Sequence, residues 1–194
     1  MRLFFVNGLD KCKVQWYHYC MNQKQLETLK QNNYESRDFA RSCFSFALMI
    51  MLKENNGFTV SKLCSLAGVS RTAFYRNYTC VEDVLIDRLK EISLTIAHQI
   101  GTDIYNNWLL VFSVVEKYMA QLEVIVNAGF GYKLYDVFMS LLPNDEDNRI
   151  IQSTWLSLFY TYIIKWVKER RPKKAEDAAR MAYKYTKNIP LVKV

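Results

Sequence analysis

The sequence predicts an all-α protein of about nine helices, on three observations. Of its 194 residues 51% are hydrophobic and 14% aromatic, with only 6 glycines and 3 prolines, so core material is ample and helix breakers are few. Apolar residues recur at spacings of three and four along most of the chain, the period of helices with one buried face. Short turn clusters cut that pattern at Asn55-Asn56-Gly57, Gly68, Gly101-Thr102-Asp103, Ala128-Gly129 and Pro143-Asn144-Asp145. The length suits one or two domains. The longest strongly apolar run, Cys43 to Leu52, is too short to span a bilayer, and Leu3 to Val6 is too short for a signal-peptide core.

Residues 1–33 read as an N-terminal extension. Its first part, MRLFFVNGLDKCKVQWYHYC, has no clear helical period, whereas Met21 opens a more ordinary start. The expectation is a biological start at Met21, or poor order over residues 1–20; an intact Met1 in the mass of the native protein would exclude the first. Lys11, Lys13, Lys24 and Lys30 also permit a basic arm that reaches DNA. Residues 34–100 form the next unit. Its first helix runs from Ser36, a plausible N-cap, to about Asn55 and presents Phe39, Cys43, Phe44, Ala47, Ile50 and Met51 on one face. Arg37 and Arg41 lie a turn apart near its start, where they can meet phosphates or form a solvated face.

Thr59 to Tyr78 reads as two short helices joined by a tight turn. Val60, Leu63, Cys64 and Ala67 give the first a buried stripe, and Thr59 can cap it. Gly68 follows, where a left-handed residue is wanted, and Val69 can plug the core beneath the turn. Ser70 caps the second helix, Arg71 to about Asn77. It buries Ala73 and Phe74 and leaves Arg71, Thr72, Tyr75 and Arg76 outward, groups that suit a major groove. Thr79-x-x-Glu82 is a capping-box pattern, with Cys80 a weaker alternative cap. The helix it starts carries Leu85, Leu89, Ile92, Ile96 and, at its end, Ile100.

The residues Thr59-Val60-x-x-Leu63-Cys64-x-x-Ala67-Gly68-Val69-Ser70-Arg71-x-x-Phe74-Tyr75-x-x-Tyr78, followed by Glu82-Asp83-Val84-Leu85, resemble the DNA-binding signature of the TetR/AcrR family of bacterial transcriptional regulators. The resemblance covers roughly Ser36 to Ile96; beyond it only helical character and length fit. It implies a three-helix helix-turn-helix domain and a C-terminal helical domain for ligand binding and dimerisation. Carried over residue by residue, it implies phosphate contacts from Thr59 and Ser61 and base-edge contacts from Arg71 and Thr72, Arg71 suiting a guanine. Tyr75 and Tyr78 would bond phosphates through their hydroxyls, although Tyr78 could instead be mainly core. Arg76 could do either, and Ser70, Arg37 and Arg41 complete the candidate DNA-binding set. Many relatives carry a Lys near Val81 that contacts phosphate; here that contact is missing or falls to a backbone N–H at the helix start.

Charge points the same way. Residues 1–79 hold 11 Lys and Arg against 5 Asp and Glu, while residues 80–194 hold 15 against 14, so nearly all of the net +7 lies on the half with the helix-turn-helix. The five cysteines, Cys12, Cys20, Cys43, Cys64 and Cys80, are odd in number, and reduced thiols in a cytoplasm are the natural reading. Cys12, His18 and Cys20 match no established metal spacing, so neither metal nor cofactor is expected.

Residues 101–194 are expected to form the regulatory and dimerisation domain, with helices at about Asp103–Met119, Ala120–Asn127, Gly131–Leu142, Asp145–Lys168 and Lys173–Lys187. Trp108, Phe112, Tyr135, Phe138, Trp155 and Phe159 are candidates to line a pocket for a small apolar or aromatic ligand, against the alternative of plain core. The last two helices resemble the pair that builds the family's four-helix dimer interface, with Trp155, Leu158, Tyr162, Trp166, Ala178 and Ala182 as candidates; finishing a monomeric core is the rival. No phosphate loop, nucleophile elbow or metal cluster suggests an enzyme. The resemblance implies a homodimeric repressor on double-stranded operator DNA, released by its ligand, with no membrane partner. The alternatives are an activator of the same family, or a helical dimeric module for ligand or protein binding without operator recognition.

Overall fold

The computed structural model describes residues 37–54, 57–142, 146–169 and 174–191. Among the described residues there are nine α-helices and no strand. They are α1 (Arg37–Glu54), α2 (Val60–Ala67), α3 (Arg71–Tyr75), α4 (Val81–Ala97), α5 (Ile104–Lys117), α6 (Met119–Asn127), α7 (Tyr132–Ser140), α8 (Arg149–Lys168) and α9 (Ala175–Thr186). The all-α expectation holds, and no described helix is long and apolar enough to cross a membrane. The extension 1–33, the cap at Ser36, the turns at Asn55-Asn56 and Pro143-Asn144-Asp145, and Arg170 to Lys173 lie outside the described residues.

In the first unit α1 packs on α2 and α4, and α2 packs on α3. Phe44 of α1 is fully buried and meets Phe74 edge-on at 5.4 Å and Tyr78 at 6.1 Å. The buried stripe of α1 is Ala40, Phe44, Ala47, Leu48, Met51 and Leu52. This corrects the expected face: Phe39, Cys43 and Ile50 are only half-buried, because the helix is rolled so that Ala40, Leu48 and Leu52 point inward. The stripe of α4 is as expected at Leu85, Leu89, Ile92 and Ile96, but the helix stops at Ala97 and Ile100 is exposed.

In the second half α9 packs on α5, and α8 packs on α5, α6 and α7. Asp103 caps α5 by accepting from Asn106 N at 2.7 Å, and the Asn107 amide clasps Gly101 N and O at 2.9 and 2.8 Å. The break before α6 comes at Tyr118, just ahead of the expected bend at Ala120. Helix α8 starts at Arg149, so Glu146 and Asp147 lie in the turn before it and not in its first turn. Helix α9 lies along α5, and its small stripe of Ala175, Ala178, Ala179 and Ala182 is buried, as close helix approach requires. Helix α4 belongs to both halves, packing on α1 and also on α5 and α7.

Candidate nucleic-acid interface

Local sequence builds the two-helix corner in full. Thr59 Oγ1 accepts from Lys62 N at 3.3 Å and starts α2. Gly68 ends it in the left-handed region, φ 64°, where a side chain would strain the backbone. Gly68 N donates to Ser65 O at 3.4 Å and Val69 N to Cys64 O at 3.2 Å, the bond pair of a Schellman motif. Ser70 Oγ then accepts from Ala73 N at 3.1 Å and starts α3. Ala73 and Phe74 are buried, and they hold Arg71, Thr72, Tyr75 and Arg76 outward; Tyr75 is 61% exposed. Thr59, Ser61 and Ser70 are exposed too, and the Arg71 guanidinium donates to Ser61 Oγ, so two candidate contacts from different helices meet. From Gly57 to Tyr78 the chain has no acidic residue, while Lys62, Arg71 and Arg76 are basic.

Three other candidates are bonded within the chain. Arg41 forms a two-pronged pair with Asp87 of α4, with Nε to Oδ2 at 3.0 Å and Nη2 to Oδ1. Tyr78 is buried, and its hydroxyl donates to the same Asp87 Oδ2 at 2.7 Å. Arg37 remains exposed, but its Nε donates to Asn77 Oδ1 at 3.1 Å. Tyr78 therefore takes the core alternative, and Arg41 is committed to a carboxylate instead of being held out for phosphate. Burial opposes the charge on Asp87, but its bonds from Arg41 and Tyr78 outweigh that and hold its carboxyl below the usual range. Burial and then the acceptor Asp87 push the Tyr78 phenol upward. Sequence reasoning missed Asp87 and Asn77. One signal pointed to Asp87: it lies a turn after buried Val84, where a carboxylate needs a partner.

The start of α4 corrects a second expectation. Its cap is Cys80, not Thr79, and Asp83 rather than Glu82 reaches back. Asp83 Oδ2 accepts from Thr79 N at 2.7 Å, from Cys80 N at 3.0 Å and from the Thr79 hydroxyl. Glu82 instead pairs with Lys133 of α7. A carboxylate already occupies this helix start, so a phosphate there would meet negative charge. Its bonds, led by the Thr79 hydroxyl, bring the Asp83 carboxyl from 3.8 down to about 2. A lowered carboxylate stabilises the fold above its unfolded pKa, and the contribution is lost as pH falls through the folded one. Stability should therefore drop as pH falls from 3.8 toward 2, and Asp83→Asn should flatten that slope in thermal melts across the window.

The six pocket candidates divide. Trp108, Phe112, Trp155 and Phe159 are buried in direct ring contact, with Trp108 stacked on Phe112 at 5.8 Å and edge-on to Phe159 at 4.8 Å. The Trp108 indole N–H donates to Thr186 Oγ1 at 2.7 Å. Tyr135 lies apart, half-buried beside Tyr160 at 5.5 Å, and Phe138 is buried on α7. Trp108 and its neighbours thus pack as core. The dimer candidates divide as well: Trp155, Trp166, Ala178 and Ala182 are buried within the single chain, while Leu158 and Tyr162 are half-buried. Ala178 and Ala182 are covered because α9 lies on α5 of its own chain. Cys43, Cys64 and Cys80 are free thiols; burial pushes Cys43 up to about 11 and raises Cys64 too, which favours the thiol over the thiolate. No protein-family model matches the chain, and no curated protein matches it.

Proposed function

We propose that this chain is a sequence-specific DNA-binding transcriptional regulator of the TetR/AcrR type, acting as a homodimeric repressor that a small apolar or aromatic ligand releases from its operator. The observation that carries the reading is the capped α2–turn–α3 corner. It presents Arg71, Thr72, Tyr75 and Arg76 outward from a segment, Gly57 to Tyr78, that carries basic but no acidic residues. A five-residue recognition helix offers few base contacts, which favours a two-fold dimer reading half-sites about 34–36 Å apart or a multiple of that. Release by a ligand needs an element that feels both halves, and α4 packs on both.

The test is affinity for the intergenic DNA beside the protein's own gene against scrambled DNA, at two salt concentrations. Selective binding that persists at the higher salt is expected. Arg71→Ala should weaken binding by about 1–3 kcal/mol and relax the preference at one base position, with the core intact because the side chain is exposed and the Ser70 cap retained. Equal, steeply salt-dependent binding to both DNAs, unaffected by Arg71→Ala, would overturn the reading.

A further inference from the structure

The recognition helix cannot hold its own position. At five residues α3 is far below the length at which a helix is stable alone. Its first turn is held by Ser70 and by the Arg71–Ser61 bond. Its far end has no glycine cap; Arg76 there is right-handed. That end is secured from outside by two hydrogen-bond paths. In the first, Arg37 Nε donates to Asn77 Oδ1 at 3.1 Å, and Asn77 Nδ2 donates to Ala73 O at 2.8 Å, inside α3 itself. In the second, the Tyr78 hydroxyl donates to Asp87 Oδ2 at 2.7 Å while Arg41 grips both oxygens of the same carboxylate. Helix α1, the chain leaving α3, and α4 converge on Asp87.

We propose that Asp87 is a positioning residue that fixes, through Arg41 and Tyr78, the angle at which α3 meets DNA; this rests on the reading of α3 as the DNA-reading helix. Three donated bonds converge on one carboxylate, so no neutral side chain replaces it fully. Its loss leaves the Tyr78 hydroxyl buried with a poorer acceptor and lets the Arg41 side chain go. The sign of the effect separates this role from simple electrostatics. Asp87 is a negative charge on a unit that meets phosphates, so on charge alone Asp87→Asn would tighten DNA binding. A positioning role requires the opposite.

The experiment compares wild type, Asp87→Asn and the milder Tyr78→Phe. It measures affinity for the intergenic DNA and for scrambled DNA at several salt concentrations, and amide hydrogen exchange of the free proteins. Asp87→Asn is expected to bind the intergenic DNA about tenfold more weakly with an unchanged salt slope, because no phosphate contact is removed. Tyr78→Phe is expected to lose about threefold. Exchange at the amides of Ala73 to Tyr78 should accelerate in both variants while α5 to α9 stay protected. Equal or tighter binding by Asp87→Asn, with exchange at Ala73 to Tyr78 unchanged, overturns the proposal. If wild type binds both DNAs alike, the DNA-reading role of α3 fails. Exchange then decides the restraint alone: acceleration at Ala73 to Tyr78 upholds it and unchanged rates reject it. Should Asp87→Asn unfold, Tyr78→Phe carries the same comparison with one hydroxyl removed.

Discussion

Trp108→Ala should destabilise the second half of the chain by about 3–5 kcal/mol, measured as a lowered urea midpoint at unchanged m. The indole is fully buried and meets Phe112, Phe159, Tyr162 and Trp155 at 5.8, 4.8, 4.9 and 6.3 Å between ring centroids. Removing it opens a void among rings that cannot collapse together, and deprives Thr186 of its donor. Trp108→Phe should cost less, keeping part of the ring contact but losing the hydrogen bond, itself worth about 0.5–1.5 kcal/mol. The outcome also bears on ligand binding. A loss under about 1 kcal/mol would show a loosely held indole and return Trp108 to the candidates for a pocket wall.

Phe44→Ala should be as costly, about 3–5 kcal/mol, but with a different footprint. Phe44 is the side chain of α1 on which Phe74 and Tyr78 rest, so its loss withdraws the floor from the C-terminal part of α3 and the chain that leaves it. Hydrogen exchange should rise across α1 to α3 first, with α5 and α9 protected, and selective DNA binding should vanish with the fold of that corner. Phe44→Leu should keep much of the apolar area and lose less. Uniform destabilisation of all the described helices would instead mean that the two halves unfold as one cooperative unit.

These effects differ in how visible they were in the sequence. The corner was legible because its instructions are local: a Thr and a Ser as caps, a glycine where φ must be positive, and an apolar pair to anchor α3. Periodicity located the helices for the same reason. It did not tell Arg41 the phosphate ligand from Arg41 the partner of Asp87, since a half-exposed arginine looks alike in both roles and its carboxylate lies 46 residues away. Nor could it say what covers the alanine stripe of α9. Spacing shows that a face is buried; whether its own chain or a second copy buries it is a tertiary fact, and here it is α5. The cap of α4 slipped by one residue because Thr79 and Cys80 each precede an acid by three, and the finer choice depends on which carboxylate is left free. Glu82 is drawn off by Lys133.

The bond from Trp108 to Thr186 joins residues 78 apart. The indole of Trp155 similarly ends on Pro190 O at 2.8 Å, 35 residues further along. Synthesis runs from one end, so Trp108 and Phe112 of α5 emerge before the α8 rings that pack on them and before the Thr186 of α9 that bonds the Trp108 indole. The corner α2–turn–α3 uses only neighbours and can form as soon as α1 and α4 are out. On that connectivity the α2–turn–α3 corner is expected to order first, and the core around Trp108 to stay open until α8 and α9 arrive. During that interval the uncovered rings would be a hydrophobic surface that invites association.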